Sequence, residues 1–169
     1  IFEIIEAKKI FNLEYKQLSI LIHPNSYVHA ILEFKDGLIK IIAHETTMEI
    51  PIFNTLNNIN EKKLKIKKVN INKLNNLELT KIKTNKFPLI KIIDKLPKKD
   101  SLFETVLVSL NDELVRLFLN KKYSYLTLLN KLFKFIQKKE FVKYKFIEPT
   151  KITDILNLNK LIKSKINNK

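Results

Sequence analysis

Cysteine and tryptophan are absent from the 169-residue chain, and glycine and methionine occur once each, as Gly37 and Met48. Without cysteine there can be no disulfide and no thiolate metal site, which fits a reducing compartment. Arginine is almost missing too: of 32 Lys and Arg residues only Arg116 is arginine. Phosphate and base-edge recognition draws on arginine forks and aromatic stacking, so the net charge of +15 is weak support for a nucleic-acid partner. Heavy Lys, Asn and Ile usage reads better as the codon bias of an AT-rich genome. No apolar run approaches the ~20 residues of a membrane span, and no signal-peptide pattern is visible. A membrane partner is therefore not expected.

What is present supports a folded protein. The chain is 45% hydrophobic and 29% charged, a balance that can fill a core and argues against wholesale disorder. The first residue is Ile1 and helical periodicity is already running from Phe2, so the chain reads as a piece of a longer polypeptide. The chemically unusual residues crowd into one stretch. His23, His29, His44, Gly37 and Met48 all lie between residues 20 and 52.

Apolar residues at 2, 4, 5, 7, 10 and 11 predict a helix over 2–11 with one buried side. Residues 18–22 form a short apolar run closed by His23-Pro24, which predicts a strand. Residues 27–35 and 38–43 flank Asp36-Gly37, a tight-turn dipeptide, and predict a hairpin. Together they predict three strands of one largely antiparallel sheet. Pro51 is expected to open a helix over 52–56. The lysine-rich stretch after Asn57 reads as an exposed connection, with a strand near 77–82 and a helix from Phe87 to about Lys95. Beyond Ser101 the pattern is helical. Phe103, Val106, Leu107, Leu110, Leu114, Leu117 and Phe118 make one stripe; Leu126, Leu129, Leu132, Phe133 and Ile136 make a second, with Ser124 as its cap. A third runs from about Ile152 to Ile166. No polar residue is expected on their buried faces. The fold class is thus α+β: a small, mostly antiparallel sheet with flanking helices over residues 1–86, then a helical bundle over 87–169.

Few residues could carry chemistry. Glu3 and Glu6 lie three apart on the first helix, where paired carboxylates can ligate a hard divalent cation or act as acid and base. Complementing the helix dipole is the commoner use of such a pair. Phe2, Ile4 and Ile5 around Glu3 predict its partial burial. His23 and His29 bracket an irregular corner, where an imidazole can bind substrate or fix the loop to backbone groups. Met48 could meet a flat ligand or fill a gap.

In order along the chain stand Ile5-Glu6-Ala7-Lys8 with Phe11-Asn12, then Ile22-His23-Pro24-Asn25-Ser26-Tyr27-Val28-His29. Glu33-Phe34-Lys35-Asp36-Gly37 and Met48-Glu49-Ile50-Pro51-Ile52 follow. This ordered set resembles the 1-deoxy-D-xylulose 5-phosphate reductoisomerase family, whose blocks read L-E-x-I-E-A-x-x-L-F, I-H-P-Q-S-x-V-H-S, an acidic-Gly hairpin and P-D-M-R-x-P-I. Weaker matches continue at Phe87-Pro88 and Asn111-Asp112. The resemblance implies an NADPH-dependent, Mg- or Mn-dependent oxidoreductase and isomerase that makes 2-C-methyl-D-erythritol 4-phosphate for isoprenoid synthesis. It also implies a homodimer acting on a phosphorylated sugar, in a bacterial cytoplasm or a plastid stroma. Residues 1–86 would end the central catalytic domain, and residues 87–169 would be the C-terminal helical domain. By position Glu3 matches a metal ligand that also touches the substrate, and Glu6 a second acidic residue beside it. His29 matches a histidine near the active site, and Met48 a methionine facing substrate and nicotinamide. The NADPH site would lie upstream, so the chain alone should be inactive. Two blocks depart from the pattern. The family's Gly-x-Pro-Asp-Met-Arg reads His44-Glu45-Thr46-Thr47-Met48-Glu49, and its Asn-Ala-Ala-Asn-Glu reads Val108-Ser109-Leu110-Asn111-Asp112. The alternative from another class is a non-catalytic basic module whose lysines bind nucleic acid or another polyanion.

Overall fold

The computed structural model describes residues 1–57, 64–66 and 70–167. The expected exposed connection after Asn57 falls largely outside them. By contacts the chain divides into two compact units, one of residues 1–19 with 83–169, the other of residues 20–82. The composition boundary at 86/87 therefore does not follow the packing. The opening helix belongs with the C-terminal helices.

In the first unit, α1 (Phe2–Phe11) forms as its periodicity predicts, and Asn12 ends it in the left-handed conformation. A short 3-10 turn at Tyr15–Gln17 follows. After residue 83 the chain runs through a helix where one was expected, Pro88–Lys95, and it is of the 3-10 kind. Pro88 supplies the fixed φ of a first turn. Then come α4 (Leu102–Leu119) and α5 (Tyr125–Ile136), and later α7 (Ile152–Asn167). Between α5 and α7 lie α6 (Lys139–Val142) and a 3-10 turn, Lys143–Phe146, neither legible in the sequence. Ser101 and Ser124 cap α4 and α5 through hydroxyls that accept from Phe103 N and Thr127 N.

The core of this unit is built on α4. Phe103, Val106, Leu107, Leu110, Leu114 and Leu117 are buried in one cluster with Leu128, Leu132 and Ile136 of α5, Leu158, Ile162 and Ile166 of α7, and Ile5 of α1. Two expectations need correcting. Leu126 is 70% exposed, because the buried face of α5 runs through Leu128, Leu129, Leu132, Phe135 and Ile136, rotated from the stripe read in the sequence. The buried face of α4 also admits polar residues: Glu104, Ser109 and Glu113 are all buried. Glu104 Oε2 accepts from the Ser101 hydroxyl at 2.6 Å. Glu113 pairs with Arg116 one turn on, and that guanidinium, with Asn167 beside it, holds the Glu113 carboxyl below its usual range against the opposing pull of burial.

The second unit has little core; among its described residues only Tyr27 is fully buried. It holds β1 (Leu21–Ile22), β2 (Val28–Glu33), β3 (Ile39–Ala43), α2 (Glu49–Leu56), α3 (Ile71–Asn75) and β4 (Thr80–Lys81). The Asp36-Gly37 turn is as expected: Gly37 sits at φ +86°, and the Asp36 carboxylate accepts from Leu38 N at 3.0 Å. The three-strand sheet is not found. β2 pairs with β3, while β1 pairs with β4 nearly sixty residues on, giving two separate antiparallel ladders. The strands expected at 18–22 and 77–82 shrink to the two residues each that this ladder contains.

Two measurements check this packing. Leu110→Ala, at a position with no exposed surface, should cost about 2–5 kcal/mol in urea unfolding. Leu126→Ala should change stability by less than about 0.5 kcal/mol. The Asp154 carboxylate accepts from Lys151 N, Thr150 N and the Thr150 hydroxyl, and these bonds hold it below the usual carboxylate range. Its stabilisation should be complete above the unfolded carboxyl's pKa and vanish as pH falls through the depressed one. The destabilisation by Asp154→Asn should therefore be full at neutral pH and fade in acid, as read from unfolding midpoints across the pH range.

Candidate functional site

The candidate residues fall on two units. Glu3 and Glu6 stand on α1; His29 and Met48 stand in the hairpin unit. α1 is anchored through its inward residues, Ile4 and Ile5, both buried. Its far end is held by Lys8 and Lys9, whose ammonium groups lie 2.9 and 3.0 Å from the Asp100 carboxylate. Lys8 first and then Lys9 keep that carboxyl well below its ordinary range. The helical period that turns residues 4 and 5 inward turns 3 and 6 outward, so Glu3 and Glu6 are both exposed. The partial burial expected for Glu3 is not observed. Neither glutamate has a hydrogen bond or ion pair among the described residues. Glu3 therefore presents a free, hard carboxylate in the first turn of a fixed helix, the donor chemistry that Mg²⁺ or Mn²⁺ prefers. Among the described residues no three His, Cys, Asp or Glu gather into a metal cluster. One carboxylate is a partial site, and it fits a cation as a contributor.

In the hairpin unit the two histidines of the corner do different work. His23 Nδ1 lies 2.9 Å from the Glu78 carbonyl oxygen and donates to it, tying the corner to the approach of β4. That is the loop-fixing option weighed for these histidines. His29 sits on β2 where the register slips: Val28 faces Ala43 but Ala30 faces Ile42, leaving His29 as the extra residue of a bulge. Its ring stacks on His44, with centroids 3.6 Å apart and planes within 9°. Four residues on, Met48 caps the start of α2 and is 66% exposed. Ile52 and Leu56, one and two turns further, are exposed as well, so Met48 begins an apolar strip along α2.

His44, Glu45 and Lys73 were given no role by the sequence, and the structure brings them together. The Glu45 carboxylate accepts from Lys73 Nζ at 2.8 and 2.9 Å, and Lys73 lies 5.3 Å from the centre of the Tyr27 ring. The available signal was the family glycine that reads His44 here.

The fold is that of a reductoisomerase C-terminal region. Solved reductoisomerase structures superpose on the chain: the Zymomonas mobilis enzyme with NADPH has a TM-score of 0.80 over 96% of the chain at 23% identity. A complex with fosmidomycin and magnesium has a TM-score of 0.85 over 98% at 22% identity. The family described as DXP reductoisomerase C-terminal domain matches residues 44–165. The Pelagibacter ubique 1-deoxy-D-xylulose 5-phosphate reductoisomerase is 53% identical over 98% of the chain, and the Aquifex aeolicus enzyme is 33% identical over 76%. The chain belongs to the 1-deoxy-D-xylulose 5-phosphate reductoisomerase family. It spans 43% of the length of the Pelagibacter relative and 34% of the Aquifex one.

Lys73→Met removes the only cation on Glu45 among the described residues. It should cost under about 1 kcal/mol, because both partners are partly solvated. The loss should shrink in molar salt, where wild type has already lost most of the attraction; urea midpoints at low and high salt measure it.

Proposed function

We propose that the chain is the C-terminal part of a working, NADPH- and divalent-metal-dependent reductoisomerase. It would act on 1-deoxy-D-xylulose 5-phosphate to give 2-C-methyl-D-erythritol 4-phosphate in isoprenoid precursor synthesis. The observation that carries this reading is the 53% identity to a reductoisomerase over 98% of the chain. Residues 1–86 close the catalytic domain in this reading, and residues 87–169 form the helical domain. The homodimer, and the cytoplasmic or plastid setting that the family implies, belong to the same proposal.

Glu3 is the residue for the metal. Its free carboxylate, on a helix pinned by Ile5 and Asp100, supplies one oxygen ligand and contacts the substrate's oxygens, with the remaining ligands contributed by the longer polypeptide. A bound Mg²⁺ or Mn²⁺ supplies Lewis-acid polarisation of the substrate's carbonyl and hydroxyl oxygens. Glu6, also exposed and one turn on, adds negative charge beside that ligand and so favours a cation there. His29 donates from Nε2 towards the His44 carbonyl, 3.4 Å away, which leaves Nδ1 as an acceptor for a substrate hydroxyl. Met48 offers a soft apolar surface on which a nicotinamide or the substrate's carbon skeleton can rest while water is kept off.

In the full-length protein, Glu3→Gln should lower metal-dependent NADPH oxidation by roughly a hundredfold or more. Its thermal unfolding should match wild type, because the side chain is exposed and unpaired. Wild-type turnover that is indifferent to added Mg²⁺ and chelator, or full activity in Glu3→Gln, would remove Glu3 from the reaction. The 169-residue chain on its own should show no turnover.

A further inference from the structure

Position 44 is a glycine in the family pattern, and the next residues read Pro-Asp two and three places on. Here the same positions are His44, Thr46 and Thr47. Proline fixes φ and stiffens a loop; threonine leaves it free. The structure shows what holds the segment instead. His44 N donates to the Tyr27 carbonyl at 3.1 Å. The His44 ring lies flat on His29, and its Nδ1 donates to the Glu45 carbonyl at 2.7 Å. Glu45 grips Lys73 of α3, and Lys73 leans over the ring of Tyr27, where the circuit began. A backbone bond, an imidazole bond, an ion pair and a ring contact close a circuit through Tyr27, His44, Glu45 and Lys73, and His29 stacks on its His44 member.

From this circuit we infer that His44 is a positioning residue. Stacking on His29 fixes that ring on its bulge and restrains residues 44–47, and so places Met48 at the head of α2. It replaces by aromatic contact the restraint that the family pattern obtains from proline. The inference rests on the reductoisomerase reading for its catalytic consequence and on geometry alone for the stack. Met48 needs such help, because its exposed side chain has no anchor of its own and its position is set by the residues before it.

The test uses the full-length protein with His44→Ala, His44→Phe, His44→Gly and the double variant His44→Gly with Thr46→Pro. Two readouts do not depend on turnover. Ring-proton NMR of His29 should show an upfield ring-current shift in wild type and in His44→Phe, lost in the Ala and Gly variants. Amide exchange of residues 44–48 should accelerate in the Ala and Gly variants and return towards wild type in His44→Phe and in the double variant. In kinetics, His44→Ala should lower kcat by roughly tenfold to a hundredfold with an unchanged unfolding midpoint, as expected when a reacting group is displaced by about an ångström. His44→Phe and the proline-restored variant should recover most of it. If wild type shows no NADPH-dependent turnover, the reductoisomerase reading fails, and the NMR and exchange results still decide the stack. An unshifted His29 signal, or unchanged exchange in His44→Ala, overturns the inference. Normal kcat in an active enzyme carrying His44→Ala overturns its catalytic part.

Discussion

Burial of the apolar stripe on α4 is the constraint on which the rest of the first unit depends. Six side chains from Phe103 to Leu117 lie on one face over four turns, and each fully buried Leu or Phe contributes on the order of 1.5–3 kcal/mol. Helices α5 and α7 form where they cover that face. The short turns between them occupy what is left. Ile5 reaches the same cluster from the opposite end of the sequence, so the helix bearing Glu3 is oriented by the bundle core. The polar residues on α4 are consistent with this packing where they are paired. Glu104 takes the Ser101 hydroxyl and Glu113 takes Arg116, as buried carboxylates require.

The hairpin unit solves a different problem. A two-stranded hairpin is marginal alone, and β2 and β3 are exposed on both faces. Specific polar ties supply the order there: the Gly37 turn, the His23 bond to the Glu78 carbonyl, and the circuit of Tyr27, His44, Glu45 and Lys73. Units held this way open locally at low cost.

Local signals were legible and non-local ones were not. The α1 limits follow from periodicity, the hairpin from Asp36-Gly37, and the α5 cap from Ser124, because each depends on neighbours within a few residues. The pairing of β1 with β4 depends on residues nearly sixty apart, and no local pattern encodes it. The face of α5 was misjudged at Leu126 since an apolar residue at a helix end fits two adjacent stripes. Glu104 and Glu113 break the expectation of wholly apolar buried faces, and each has its partner, Ser101 or Arg116, three residues away. Of the candidate site, the ordered blocks point to Glu3, Glu6, His29 and Met48 by position, as the resemblance implies. Glu3 is exposed because Ile4 and Ile5 turn inward without it, and Phe2 is exposed beside it. His44 was hidden by being a departure from the pattern.

Ile5 and Ile166 belong to one buried cluster, although they stand almost the whole chain apart. A premature stop or frameshift in the last helix would remove Leu158, Ile162 and Ile166 from the core cluster that Ile5 also enters. Such a lesion would loosen the cluster that orients α1, so α7 should tolerate truncation far less than its distance in sequence from that helix suggests.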